Sequence, residues 1–107
     1  MYGGPGNDII NGRNGNDEIW GGDGDDILNA GNTGRPAEVS EFVDVIHGGS
    51  GNDLIYGGSA NSADLTGGNA NRDDYKYLYG DEGDDRIFGS DDLRNQFIWG
   101  GAGDDVI

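Results

Sequence analysis

Large aliphatic residues recur along this chain with a period of nine. Ile10, Ile19 and Leu28 are spaced so, and the pairs Ile46 and Ile55, Leu78 and Ile87, and Ile98 and Ile107 repeat the interval. Most of what lies between is glycine, asparagine and aspartate. A helix would need apolar positions three and four apart, and a glycine every two or three residues would erode it by about 1 kcal/mol each. A tight turn followed by a very short strand fits this spacing, because strand alternation sends the aliphatic side chain one way and its two neighbours the other. The predicted core is Ile10, Ile19, Leu28, Ile46, Ile55, Leu65, Leu78, Ile87, Ile98 and Ile107, with Ala37 as a weak member. Strands this short do not survive alone. Stacked at about 4.8 Å per coil, they form two parallel sheets facing each other across one aliphatic layer.

The period resolves into the pattern G-G-x-G-x-D-x-U-x, with U a large aliphatic residue. Complete copies start at Gly3, Gly21 and Gly48, and a clipped copy runs from Gly100 to Ile107. Two further copies lose only the second glycine, which is Arg13 in the copy from Gly12 to Trp20 and Asp81 in the copy from Gly80 to Phe88. Irregular units span 30–47, 57–79 and 89–99. In them Leu65, Leu78 and Ile98 each stand two residues before a new glycine and fill the aliphatic slot, with the extra residues housed in turns, where added length costs little. Residues 30–47 read in two ways, as one unit with a nine-residue insertion or as two units of nine with Ala37 in the first core slot. The even spacing of Leu28, Ala37, Ile46 and Ile55 favours the second.

Composition narrows what can hold such a chain together. Its 107 residues suffice for one domain, but 23 glycines and 25% charged residues leave little material for an ordinary core. Asp and Glu number 21 against 6 Lys and Arg, a formal charge of −15 that opposes compaction unless cations bind. The same charge repels nucleic acid and anionic membranes. With no cysteine and one histidine, disulfides and the usual zinc ligand sets are excluded. No apolar stretch approaches a membrane span, and Met1 is followed by Tyr2, Gly3 and Gly4 without a basic or hydrophobic run, so no cleavable signal is read there. The pattern is already under way at both ends, as expected of a single segment, residues 1–107, of a longer repeat array.

These glycine- and aspartate-rich nonapeptides resemble the RTX family, found in secreted toxins, proteases and lipases. The likeness covers essentially the whole chain and is weakest in residues 30–47 and 57–79. It implies an all-β fold, a right-handed parallel β-roll of about eleven nine-residue half-coils, two to a coil, with several Ca2+ ions between turns stacked on the same side. Carried over residue by residue, the carboxylate ligands are Asp8, Asp17, Asp26, Asp44, Asp53, Asp85 and Asp105. The implied carbonyl donors are Gly3, Pro5 and Asn7 in the first turn, Gly12, Asn14 and Asn16 in the second, and Gly21, Asp23 and Asp25 in the third. Gly48, Ser50 and Asn52 follow, then Gly80, Glu82 and Asp84, and finally Gly100, Ala102 and Asp104. Such all-oxygen sets suit calcium, whereas magnesium demands stricter octahedral geometry and keeps its waters. Lys76 and Gln96 stand in the aspartate slot of their own units, as does Ala63, so those turns depart from the pattern. Asp73, Asp74, Asp91 and Asp92 remain available in the enlarged loops. With so little core, folding is expected to be coupled to calcium at roughly 10⁻⁴ to 10⁻³ M.

If residues 30–38 form their own unit, one outer face carries Trp20, Glu38, Tyr56, Tyr79 and Trp99, flanked by Leu54, Tyr77 and Phe97. The other carries Asn11, Asn29, His47, Thr66 and Phe88. The aromatic face either shields short strands or forms a docking strip for a protein or a saccharide. Catalysis is not expected. His47 has no serine or cysteine nucleophile in a recognisable setting, and calcium ligation is incompatible with raised-pKa proton donors among the regular aspartates. Two readings remain: a calcium-dependent structural or assembly segment of an extracellular protein that stacks end to end through its coil ends, or an accessory module assisting an exported enzyme or toxin.

Overall fold

The computed structural model describes residues 1–13, 15–31, 41–58, 73–89 and 96–107. Nine strands form two parallel sheets among them. The larger holds β1 (Tyr2–Pro5), β3 (Glu18–Asp23), β5 (Glu41–Ser50), β7 (Asp73–Glu82) and β9 (Gln96–Ala102), side by side in that order. The smaller holds β2 (Ile9–Asn11), β4 (Ile27–Asn29), β6 (Leu54–Tyr56) and β8 (Arg86–Phe88). Strands alternate between sheets along the chain, so two strands make one coil of a β-roll, as the family resemblance implies.

Register places the aliphatic slots on top of one another. Ile19 lies beside Ile46, Ile46 beside Leu78, and Leu78 beside Ile98 in the larger sheet. Ile10, Leu28, Ile55 and Ile87 are stacked likewise in the smaller. Ile19, Leu28, Ile46, Ile55, Leu78 and Ile87 are buried, together with Ala30, and Ile10 and Ile98 pack against them half-buried. Ile107, expected in the core, is 69% exposed. Its neighbour Val106 forms an isolated bridge to Arg86.

The ladders also correct the unit count. Because β3 pairs directly with β5 and β4 with β6, the chain between Leu28 and Ile46 makes one half-coil step, not two. The direct pairing of β5 with β7 and β6 with β8 gives the same result between Ile55 and Leu78. The roll therefore has nine aliphatic slots instead of about eleven. Ala37 and Leu65 lie outside the described residues.

Strand length follows turn chemistry. In β5 the run Glu41–Val43 ahead of Asp44 contains no glycine, and it continues as strand where other units turn, pairing with Asp73–Tyr75 of β7. β-branched and aromatic residues favour this extended course. The second glycine of the repeat has positive φ in the regular turns, for example +116° at Gly22 and +112° at Gly49. Arg13 and Asp81, which replace it, are the two non-glycine residues with positive φ among those described, at 73° and 75°.

Candidate metal sites along the two edges

The roll has two unlike edges. On the first, the chain passes from the larger sheet to the smaller through five regular turns, 3–8, 21–26, 48–53, 80–85 and 100–105. On the second it returns through 12–17 and then through the connections β4 to β5, β6 to β7 and β8 to β9. All three irregular units therefore fall on the second edge.

Along the first edge the aspartates of the repeat form a continuous inner ladder. Oδ1 of Asp26 accepts the backbone N–H of Asp8 at 2.8 Å, and Asp53 and Asp85 receive Asp26 and Asp53 in the same way, each at 2.8 Å. Oδ1 of Asp105 accepts from Asp85 at 3.0 Å. The other oxygen is left over. Oδ2 of Asp8, Asp26, Asp53 and Asp85, and of Asp17 on the second edge, is buried without a hydrogen-bond partner. A buried anionic oxygen without a partner is costly, and a cation is the natural remedy.

The leftover oxygens meet backbone carbonyls at the first glycine of each repeat. A Cβ at Gly21 would collide with both Asp26 Oδ2 and the Gly48 carbonyl, and one at Gly48 with Asp53 Oδ2 and the Gly80 carbonyl. Gly3 repeats this with Gly21, where Asp8 Oδ2 would lie 2.6 Å from the added carbon. Glycine is required here because any side chain would fill the space on which the oxygens converge. Carbonyls of the third repeat position, in Asp23, Ser50, Glu82 and Ala102, each accept a glycine N–H from the neighbouring turn. A second lone pair remains on each. Among the described residues no three His, Cys, Asp or Glu side chains gather in a metal-binding group. A metal here would be held by one carboxylate per turn together with carbonyls, a hard-oxygen set that fits calcium.

Burial raises the carboxyl groups of Asp17, Asp26 and Asp85 above the ordinary 3.8, and neighbouring carboxylates add to the effect. Asp53, at the centre of the row, is pushed up to about 6 by burial, opposed by the hydrogen bond from Asp26 and reinforced by the charges of Asp85 and Asp26. The sites therefore resist being charged while empty of cations.

A second, outer ladder was legible in the sequence but was not read from it. The residue before each ligand aspartate is always Asn or Asp in the regular copies. On the first edge its side chain accepts from the next coil: Asn7 Oδ1 from Asp25, Asp25 from Asn52, Asn52 from Asp84 and Asp84 from Asp104, each at 2.9 Å. This ladder runs opposite to the inner one, so adjacent turns are tied in both directions.

The second edge is interrupted. Asp44 Oδ1 accepts the N–H of Asp17 at 3.0 Å, continuing the pattern, but its Oδ2 lies 2.9 Å from the Lys76 ammonium. Gln96 is the next residue in register. Asn14, Ala63, Asp91 and Asp92 lie outside the described residues, as do the side chains of Asp73 and Asp74.

On the outside of the larger sheet, Tyr2, Trp20, His47, Tyr79 and Trp99 form one stacked column with interplanar angles of 5–12°. Tyr77 and Phe97 stack beside it. Leu54 and Tyr56, expected on this face, belong to the smaller sheet, where Tyr56 stacks on Phe88. His47, expected opposite, sits within the column, with Nδ1 3.1 Å from Asp81 Oδ2. His47 and Tyr56 lie on faces opposite to those expected because the chain takes one half-coil step, not two, between Leu28 and Ile46. A second single step between Ile55 and Leu78 leaves Tyr79, Phe88 and Trp99 on the expected faces.

The pattern of the RTX calcium-binding nonapeptide repeat matches the chain in four copies, at residues 2–32, 40–61, 77–92 and 94–107. The chain belongs to this family. No curated protein and no solved structure matches it. Membership in the RTX family makes the chain a calcium-binding structural repeat and not an enzyme. The family is characteristic of secreted proteins, whose surroundings are rich in calcium.

Proposed function

We propose that this RTX segment is an extracellular structural element that calcium converts from a repelling, acidic chain into a rigid roll, and that the roll lengthens by adding coils to its open ends. The observation that carries the calcium reading is the row of buried, unpartnered Oδ2 atoms on Asp8, Asp26, Asp53 and Asp85, each beside a glycine carbonyl. The assembly reading is supported by the outermost strands, β1 and β9 in one sheet and β2 in the other, whose outer backbone groups can receive another coil, and by Val106, which already pairs with the outer edge of β8 as a next strand would. That coil comes either from the same polypeptide or from a second copy.

The aromatic column supports a saccharide platform poorly. Rings stacked at 4.1 to 6.1 Å and nearly parallel turn their faces mainly toward one another, leaving their edges for solvent. Size-resolved light scattering in calcium and in chelator tests the assembly reading. Long particles that form only in calcium are expected. A calcium-folded monomer at all concentrations would refute stacking and favour the accessory-module reading.

A further inference from the structure

Lys76 occupies the slot of a ligand aspartate. It lies in register with Asp44 on one side and Gln96 on the other. Its side chain points into the roll on the same face of β7 as the core residue Leu78, and it is only 2% exposed. It is also the one lysine of the chain. Burying an ammonium is unfavourable unless a charged partner meets it. Here that partner is Asp44, itself 5% exposed, at 2.9 Å.

The oxygen that Lys76 meets is the telling one. Asp8, Asp17, Asp26, Asp53 and Asp85 all leave Oδ2 buried and unpartnered, whereas on Asp44 that atom carries the lysine. Asp44 otherwise behaves as a ladder residue, since its Oδ1 accepts the Asp17 N–H just as Asp26 accepts that of Asp8. The inner hydrogen bond of the rung is intact, but strand replaces the glycine turn ahead of Asp44 and the lysine supplies the positive charge.

We propose that Lys76 is a tethered cation that takes the place of one calcium ion, so that the second edge needs no metal between the coils of β5 and β7. This rests on the calcium reading above and adds to it which turn does without the ion. The charge sequence along that edge suits the arrangement. Asp44 and Lys76 neutralise each other, and Gln96 brings no charge to the next coil, whereas every coil on the first edge adds a carboxylate. The tie also falls between the two longest strands, whose ladder runs from Glu41 paired with Asp73 to Ser50 paired with Glu82. Calcium then controls the first edge throughout, while the register of β5 against β7 is held by a covalently supplied charge.

The test is a calcium count by equilibrium dialysis at saturating calcium, joined to the calcium midpoint of folding, for wild type, Lys76→Asp, Lys76→Met and Asp44→Asn/Lys76→Met. Lys76→Asp restores the carboxylate of the repeat beside Asp44 and is expected to bind one more ion per chain. Lys76→Met leaves Asp44 without a cation and is expected to raise the midpoint several-fold, and adding Asp44→Asn is expected to recover most of that loss because no charge remains to be met. A folded Lys76→Asp with the wild-type count would overturn the proposal. If Lys76→Asp does not fold, the double variant decides: failure to recover would mean that the lysine stem acts by packing alone, which also overturns it. Wild type binding no calcium would remove the calcium reading itself, a different result from wild type and Lys76→Asp binding equally.

Discussion

Replacing Asp53 by asparagine should change stability in opposite directions with and without calcium. The asparagine would keep an Oδ1 to accept the Asp26 N–H now at 2.8 Å, and would replace the buried, unpartnered Oδ2 by an amide nitrogen. An ordinary aspartate titrates at 3.8 and this one at about 6, so holding it ionised at pH 7 in the calcium-free roll costs roughly 3 kcal/mol. The unpartnered amide N–H of the variant offsets roughly 2 kcal/mol of that, leaving a net gain of about 1 kcal/mol for the variant in chelator. In calcium the sign reverses, because a site held at about a hundred times its Kd contributes about 2.7 kcal/mol that the variant gives up. Circular dichroism melts at pH 7 provide the assay, in saturating calcium and in chelator with a stabilising osmolyte so that both chains fold. Equal destabilisation in both conditions would refute the reasoning, since it would make Asp53 an ordinary structural hydrogen-bonding group.

Three further outcomes follow from the same geometry. Because burial raises Asp17, Asp26, Asp53 and Asp85, the folded roll holds protons more tightly than the unfolded chain; this stabilisation is complete below about 3.8 and is lost as pH rises through about 6, the Asp53 value. In chelator, β structure measured by circular dichroism should therefore increase from pH 7 to pH 5, while the calcium midpoint should rise over the same interval as protons compete; a calcium midpoint independent of pH would contradict this. Arg13→Gly should raise stability in thermal melts by about 1 kcal/mol by removing a side chain from positive φ, and Asp81→Gly should gain less because Asp81 also bonds His47. Ile55→Ala, at a fully buried slot, should cost roughly 2–5 kcal/mol and raise the calcium midpoint steeply, whereas Ile107→Ala, 69% exposed, should change either measurement little.

Much of this was legible in the chain. The nine-residue interval of Ile10, Ile19 and Leu28 gave the strands, their inward side chains and the stacking, because a two-fold strand period and a glycine turn admit few other solutions. The aspartates at regular positions point to carboxylates facing calcium, but not to the ladder in which each Oδ1 accepts the N–H of the neighbouring coil's aspartate. What failed was the count across long connections, since even spacing made Ala37 look like a slot when Ile19 in fact stands beside Ile46. Spacing fixes the parity of a strand only where turn lengths are constant. The Lys76 pair could not be read either, because the partner of a residue on one coil lies 32 positions away in sequence, at Asp44. Its signal was present in the lysine standing in an aspartate slot, but that substitution alone did not say where the ammonium would go. The outer ladder could have been found from the Asn or Asp that precedes each ligand aspartate.

The most direct test of the calcium-held roll is far-ultraviolet circular dichroism at pH 7 across a calcium titration that starts in chelator. A mostly disordered chain that becomes β-rich cooperatively near 10⁻⁴ to 10⁻³ M calcium, an order-of-magnitude range, is the predicted result. A β-rich spectrum that persists unchanged in chelator would contradict the account.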